Sequence, residues 1–314
     1  MLTTEAATLA PTAAPASGAY HRSLVRRQRV TFLLLVAPAL LWFMTFMLWP
    51  LVNMFYISTT HWDGLALPQT FVFLDNYARL FRDPNIAIGL RNTAIHLVAG
   101  VVGVVPFAFM LGFFLSLRQP GHRIFRTLFF SPSMISVAAL AMIFLGVYRP
   151  DGMLNVLLKG IGLSTLTRLW LANQSTALGA LIAIDIWSGI GFYSVLFFAA
   201  LAGIPEELYE AARLDGAGYW AIMWQIAFPL MLDMFGVVVI LQFLYILSGA
   251  AQNVILLTNG GPGTATTTLG YYLYNQAFIT QRLGYSQAIA VLVFFIGIVV
   301  ILLIRRVTSR LSAD

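Results

Sequence analysis

Asp185, Ser188 and Phe192 recur at three- and four-residue spacing inside one apolar stretch, with Trp187 and Tyr193 adjoining. Gln242, Tyr245, Gly249 and Gln252 recur in the same way inside another, and Asn253 follows. On a helix each set shares a face. Amide and phenol groups hydrogen-bond hydroxyls and aromatic rings stack, so these faces suit a hydroxyl-rich ligand, with room for it at Gly249 and Ala250. Asp185 could contact such a ligand or carry a coupled proton, and it could equally pair with a neighbouring helix. Polar and small residues also join helices when no ligand is involved. Asp233 and His96 read as structural groups, the first near a stretch end where water is close, the second as a packing histidine.

Covalent and phosphoryl-transfer chemistry has no residues to carry it. The chain has no cysteine, no Gly-rich loop ending in Lys-Ser/Thr, no His-Glu-x-x-His and no Gly-x-Ser-x-Gly. The run Thr258-Asn259-Gly260-Gly261-Pro262-Gly263 is turn-rich but lacks the lysine a phosphate cradle needs. No catalytic residue, metal ligand or bound cofactor is expected on this chain.

The elements that must position these residues are membrane spans. Hydrophobic residues make up 60% of the 314 and charged residues only 10%, which no soluble core with a solvated surface matches. Stretches of about 20 apolar residues fall at roughly 30–57, 92–117, 127–148, 177–201, 230–257 and 285–304, an all-α polytopic membrane protein of six transmembrane helices. Arg22, Arg26, Arg27 and Arg29 precede the first, Arg118, Arg123 and Arg126 lie between the second and third, and Arg305, Arg306 and Arg310 follow the last. The positive-inside rule makes these flanks, and both termini, cytoplasmic. The formal charge of +6 therefore reports topology, and nucleic acid is not an expected partner.

Residues 1–29 read as a disordered and then basic lead-in, 30–304 as the permeation domain, and 305–314 as a basic tail. Pro38 and Pro50 are expected to kink or end the first span. The connections 58–91 and 149–176 have room for small helices, and Trp49, Trp62, Tyr148 and Trp170 stand where interfacial aromatics belong.

A polar island, 203–229, interrupts the apolar pattern. Pro205 at a first helical position, with Glu206 and Glu207 in the first turn, predicts a short helix to Leu214, ended by Asp215-Gly216-Ala217-Gly218. Asp215 is expected to cap a second segment, 219–228, which Pro229 separates from the fifth span. Ala211 and Ala212 keep one side of the helix slim. Glu206, Glu207, Glu210 and Asp215 stand against Arg213 alone, the wrong sign for an anionic lipid surface and the right one for a basic protein socket.

Glu210-Ala211-Ala212, Asp215-Gly216-Ala217 and Phe228-Pro229-Leu230 resemble the EAA loop of binding-protein-dependent ABC importer permeases. Leu256-Leu257-Thr258-Asn259-Gly260-Gly261-Pro262 with Thr266 to Leu269 and Tyr271 to Tyr274 is similar to the carbohydrate permeases related to the maltose importer's larger membrane subunit. The resemblance implies a sugar permease subunit of the bacterial inner membrane, with loop 203–229 as the cytoplasmic coupling element. Glu206, Glu207, Glu210, Ala211, Ala212, Asp215, Gly216, Ala217 and Pro229 would be its coupling residues. It also implies a second related permease subunit, two ATPase subunits that bind ATP and Mg, and an extracytoplasmic solute-binding protein. Asp233 stands near where the family commonly has a second proline, and Gly249-Ala250 where the maltose permease has an Asn pair, which puts maltose itself in doubt. A secondary transporter using Asp185 and Asp233 as ion-coupling acids, or a scaffold whose island recruits a soluble partner, remain the other readings.

Overall fold

The computed structural model describes residues 31–64, 68–117 and 120–311. The expected lead-in 1–29, Arg118 and the end of the tail, 312–314, lie outside the described residues. Two units are distinguished, one ending at Asn53 and one beginning at Met54. The first helix, α1 (Thr31–Ser58), is long and apolar enough to cross a bilayer. Pro50 does not end it. A π-helical turn, Met44–Leu48, closes just before the proline, with the Trp49 N–H donating to the Met44 carbonyl. The wider turn relieves the clash between a proline ring and the carbonyl four residues back.

In the second unit two short strands, β1 (Thr60–His61) and β2 (Thr70–Phe71), pair antiparallel, and α2 (Asp75–Leu80) leads into α3 (Pro84–Ser116). The small helix α6 (Met153–Gly160) occupies the later connection. The other bilayer-length helices are α3 itself, α7 (Ala177–Leu201), α10 (Leu232–Leu257) and α12 (Leu283–Leu311). Between α7 and α10 come α8 (Glu206–Leu214) and the helical run α9 (219–230); α11 (Leu269–Tyr274) precedes α12.

The expected third span is not one straight helix. It is the pair α4 (His122–Met134) and α5 (Val137–Val147), bent by 106° at the break, so the described residues hold five straight spans, or six if the pair counts as one. The bend has local causes. Pro132 cannot donate a backbone hydrogen bond near the end of α4, Ile135 is extended, and the Ser136 side chain accepts from the Ala139 N–H at 3.3 Å, starting a new helix.

α7 packs chiefly against α3 and α4. Its contact with α3 is glycine-mediated: a Cβ on Gly112 would stand 2.8 Å from the Phe197 Cβ. On its other side a Cβ on Gly191 would lie 1.6 Å from the Phe129 carbonyl oxygen of α4, so only glycine admits that backbone. Towards the acidic loop the core is aromatic. Phe109 of α3 lies 5.6 Å from Phe197, 4.9 Å from Phe235 of α10, and 6.1 Å from both Trp224 and Phe228 of α9, measured between ring centroids.

The opposite end is organised around Asp83. Its side chain caps α3 by accepting from the Asn85 N–H at 2.9 Å, and its other oxygen accepts from the Tyr272 and Tyr285 hydroxyls at 2.5 and 2.7 Å. Partial burial works to raise its pKa, but these hydrogen bonds outweigh it and leave Asp83 below the ordinary carboxylate value. Asn92 of α3 holds the glycine loop here, donating to the carbonyls of Thr264, Ala265 and Thr267 at 3.2, 3.2 and 2.9 Å.

Two outcomes follow from this packing. Gly191→Val forces α4 from α7 and lowers stability by about 1–3 kcal/mol or more, measurable as a lower unfolding midpoint of detergent-purified protein. Because the folded pKa of Asp83 lies below its unfolded value of about 3.9, the stability it adds is fully present above that value and is lost as pH falls through the folded pKa. The unfolding midpoint should drop less on acidification in Asp83→Asn than in the wild type; an equal drop would remove Asp83 from the account.

Candidate functional site

Within the spans, three helices converge on one carboxylate. Asp185 of α7 is 1% exposed, and its Oδ1 accepts from the Tyr245 hydroxyl at 2.6 Å and the Asn253 amide at 2.7 Å, both on α10. Its Oδ2 lies 2.9 Å from Nε2 of His96 on α3, itself 1% exposed. The ring N–H is not directed along that line, so this is a close polar contact and not an aligned hydrogen bond. Asp185 is thus approached by two helices at once: Oδ1 accepts both hydrogen bonds from α10, and Oδ2 faces His96 without one.

The geometry of α10 explains why Asn253 and not Gln252 reaches the acid. A π-helical turn, Tyr245–Gly249, inserts one extra residue, with the Ala250 N–H donating to the Tyr245 carbonyl at 2.9 Å. Beyond it the helix face shifts by one position, so Asn253 is buried beside Tyr245 and Gln252 points outward. Gly249 gives room to a ring rather than to a ligand: a Cβ there would meet the Tyr245 ring at 2.8 Å.

Beside the carboxylate lies a cavity of about 260 Å³, lined by Asp185, Ser188, Phe192, Tyr193, Gln242, Tyr245 and Asn253 together with residues of the α4–α5 bend. Of the residues singled out in the two apolar stretches, Trp187, Gly249, Ala250 and Gln252 do not line it. Its walls are chiefly apolar, but three buried polar atoms of lining residues have no protein hydrogen-bond partner among the described residues besides Asp185 Oδ2: both amide atoms of Gln242 and Asn253 Oδ1. Gln242 Nε2 and Oε1 together offer a donor and an acceptor, the pair that a hydroxyl can satisfy.

At the acidic loop, α8 carries Glu206, Glu207, Glu210 and Ala211 exposed, while Tyr209 is buried in the aromatic core and Ala212 and Ala217 pack against it. Pro205 precedes the helix as its N-cap and is not its first residue. Gly216 has φ +82°, the left-handed turn that ends α8. Asp215 closes α8 as its C-cap and does not cap the next segment, whose N-cap is Gly218 without a side-chain bond. Pro229 does not separate α9 from the fifth span either. A π-helical turn, Ile222–Ala227, accommodates it as in α1, and the break falls at Met231. Asp233 is exposed in the first turn of α10.

Residues 84–313 match the family of binding-protein-dependent transport system inner membrane components. The chain belongs to this family. It is 36% identical over 279 residues to the probable ABC transporter permease protein YurN of Bacillus subtilis, covering 87% of this chain and 94% of that one. It is 31% identical over 324 residues to the diacetylchitobiose uptake system permease protein NgcF of Streptomyces coelicolor, covering 98% and 91%. A bacterial ABC transporter involved in the import of the acidic polysaccharide alginate shares the fold, with a TM-score of 0.79 over 93% of this chain and 99% of that one at 22% identity.

As a permease of this family the chain is a multi-pass transport subunit and not an enzyme. Its family name puts a solute-binding protein among its partners. Among the described residues no group of His, Asp and Glu could hold a metal ion. Two polar side chains take part in networks that the sequence does not announce. His96 read as a packing histidine, and its partner stands on another helix. Asp83 went unremarked, although an aspartate directly before Pro84 is an N-cap signal.

The three-helix cluster makes a thermodynamic prediction. Asp185→Ala strands the facing polar groups and costs about 3–5 kcal/mol, whereas Asp185→Leu combined with His96→Leu recovers much of that loss. Thermal unfolding of the purified variants in detergent checks it; additive single effects would mean that the two side chains do not interact.

Proposed function

We propose that this permease carries a sugar of the di- or oligosaccharide class across the bacterial inner membrane by alternating access, driven by ATP hydrolysed on two separate subunits. The carrying observation is the form of α8. Its acids face outward beside Leu208 and Leu214, which are 44% and 89% exposed, a mixed surface suited to a protein socket. Tyr209 and the aromatic core fix the helix to the spans, so a push on it is transmitted rather than absorbed. ATP and Mg would be held by those subunits and not by this chain.

The basic flanks put the acidic loop and both termini on the cytoplasmic side. The glycine loop then faces the solute-binding protein. A cavity of about 260 Å³ falls below the roughly 300–1,000 Å³ usual for small-molecule sites, which fits one wall of a path completed by a second, related permease subunit. Gln242, Asn253 and Ser188 would meet sugar hydroxyls, and Phe192 and Tyr193 would offer ring faces. Uptake of diacetylchitobiose by a relative supports the sugar class.

The tie at Asp185 shapes the mechanism. With α3, α7 and α10 joined at mid-membrane, ATPase closure against α8 moves them as one body, and the cavity opens against α4–α5 and the second subunit. Asp185 is held by Tyr245 and Asn253 as a tie between helices and Asp233 lies exposed at a helix start, which favours structural roles for both.

Gly216→Val tests the linkage. A β-branched residue is strained at positive φ, so the turn after α8 is lost while the spans remain. In proteoliposomes with the partner subunits, ATP hydrolysis should persist at a basal rate and sugar uptake should fall at least about tenfold; wild-type uptake would refute the coupling role of this loop.

A further inference from the structure

A second and larger cavity, about 560 Å³, opens at the glycine-loop end, away from the mid-membrane site. Three arginines line it from separate places in the chain: Arg79 on α2, Arg82 in the turn before α3, and Arg282 just before α12. Among the described residues none of the three has a carboxylate within ion-pair distance. The one acid in the cavity, Asp83, is already committed to the Tyr272 and Tyr285 hydroxyls and to the start of α3. The cavity therefore carries an excess of positive charge held close to low-dielectric walls, where it attracts anions strongly.

The arginines are also positioned. The Arg79 guanidinium lies 4.6 Å from the centre of the Tyr285 ring, the same ring whose hydroxyl donates to Asp83. Arg282 follows a chain reversal held by its own N–H donating to the Gln276 carbonyl at 2.8 Å. Between the charges stand the amides of Asn85, Asn275 and Gln276, groups suited to hydroxyls. A guanidinium binds carboxylate or phosphate oxygens in pairs, so the wall combines recognition of an anionic group with recognition of a polyol. The mid-membrane cavity differs in kind: no Lys, Arg or His lines it.

We propose that the three-arginine cavity is a binding site for an anionic saccharide, a sugar bearing a carboxylate or a phosphate, engaged at the mouth of the path. The proposal rests on the sugar-permease reading and narrows it. Charge is selected at the mouth by Arg79, Arg82 and Arg282, and hydroxyl pattern deeper in, by Gln242 and Asn253.

The test is direct binding to the full-length chain in phosphatidylcholine nanodiscs, titrated by calorimetry with galacturonic acid, glucose 6-phosphate, galactose and inorganic phosphate. The expected result is binding of both anionic sugars at least about tenfold tighter than galactose, weakening with added salt, and about tenfold weaker again in Arg82→Gln and in Arg282→Gln. Galactose binding as well as galacturonic acid, or anion binding unchanged in both variants, would overturn the proposal. Inorganic phosphate binding as tightly as the sugars would reduce the cavity to an adventitious ion site and overturn it too. Loss of sugar binding in phosphatidylglycerol nanodiscs, with the lipid phosphate as competitor, would assign the cavity to a lipid headgroup. Failure of this test with Gly216→Val still blocking uptake would leave the permease reading intact, because the two experiments share no residue and no readout.

Discussion

A carboxylate placed in the apolar layer constrains everything near it. An acidic side chain within the apolar layer costs about 2.5–3.5 kcal/mol, so Asp185 obliges its neighbours to bring polar partners. Tyr245 and Asn253 come from α10 and His96 from α3, which fixes both the rotation and the height of those helices against α7. The π-turn in α10 is part of that solution, since it brings Asn253 into line with Tyr245. The glycines follow as well: Gly112 lets α3 approach α7, and Gly100 leaves room for the Gln242 amide.

The acidic loop stands on this arrangement. Phe109, on the same helix as His96, touches α7, α9 and α10 through its ring contacts, so the helix that steadies the carboxylate also seats the loop. Tyr209 extends the same core into α8. The exposed acids of α8 are therefore carried on a base continuous with the mid-membrane cluster, and displacement at one end has a packed route to the other.

Features with a local cause could be read from the sequence. The apolar stretches, the acidic helix ending at Leu214 and the turn at Gly216 each depend on a few adjacent residues. Features that depend on register or on distant partners could not. The 106° break in the third stretch needed Pro132 and Ser136 to be weighed together. A regular α-helical period puts Gln252 on the face of Tyr245, and the π-turn between them moves it off that face. Pro229 reads as a separator of helices, and the wider turn before it lets the helix continue. The network at Asp83 joins residues 189 and 202 positions apart, and nothing near Asp83 announces Tyr272 or Tyr285.

The order of the three partners along the chain bears on how the protein is made. His96 is synthesised before Asp185, whereas Tyr245 and Asn253 follow it by 60 and 68 residues. At about 5–20 residues per second, α7 spends several seconds in the membrane before α10 exists. During that interval His96, on a helix already inserted, is the one member of the cluster that can meet the acid. The contact between His96 and Asp185 is thus the first part of the cluster that the growing chain can form, and the hydrogen bonds from α10 complete it.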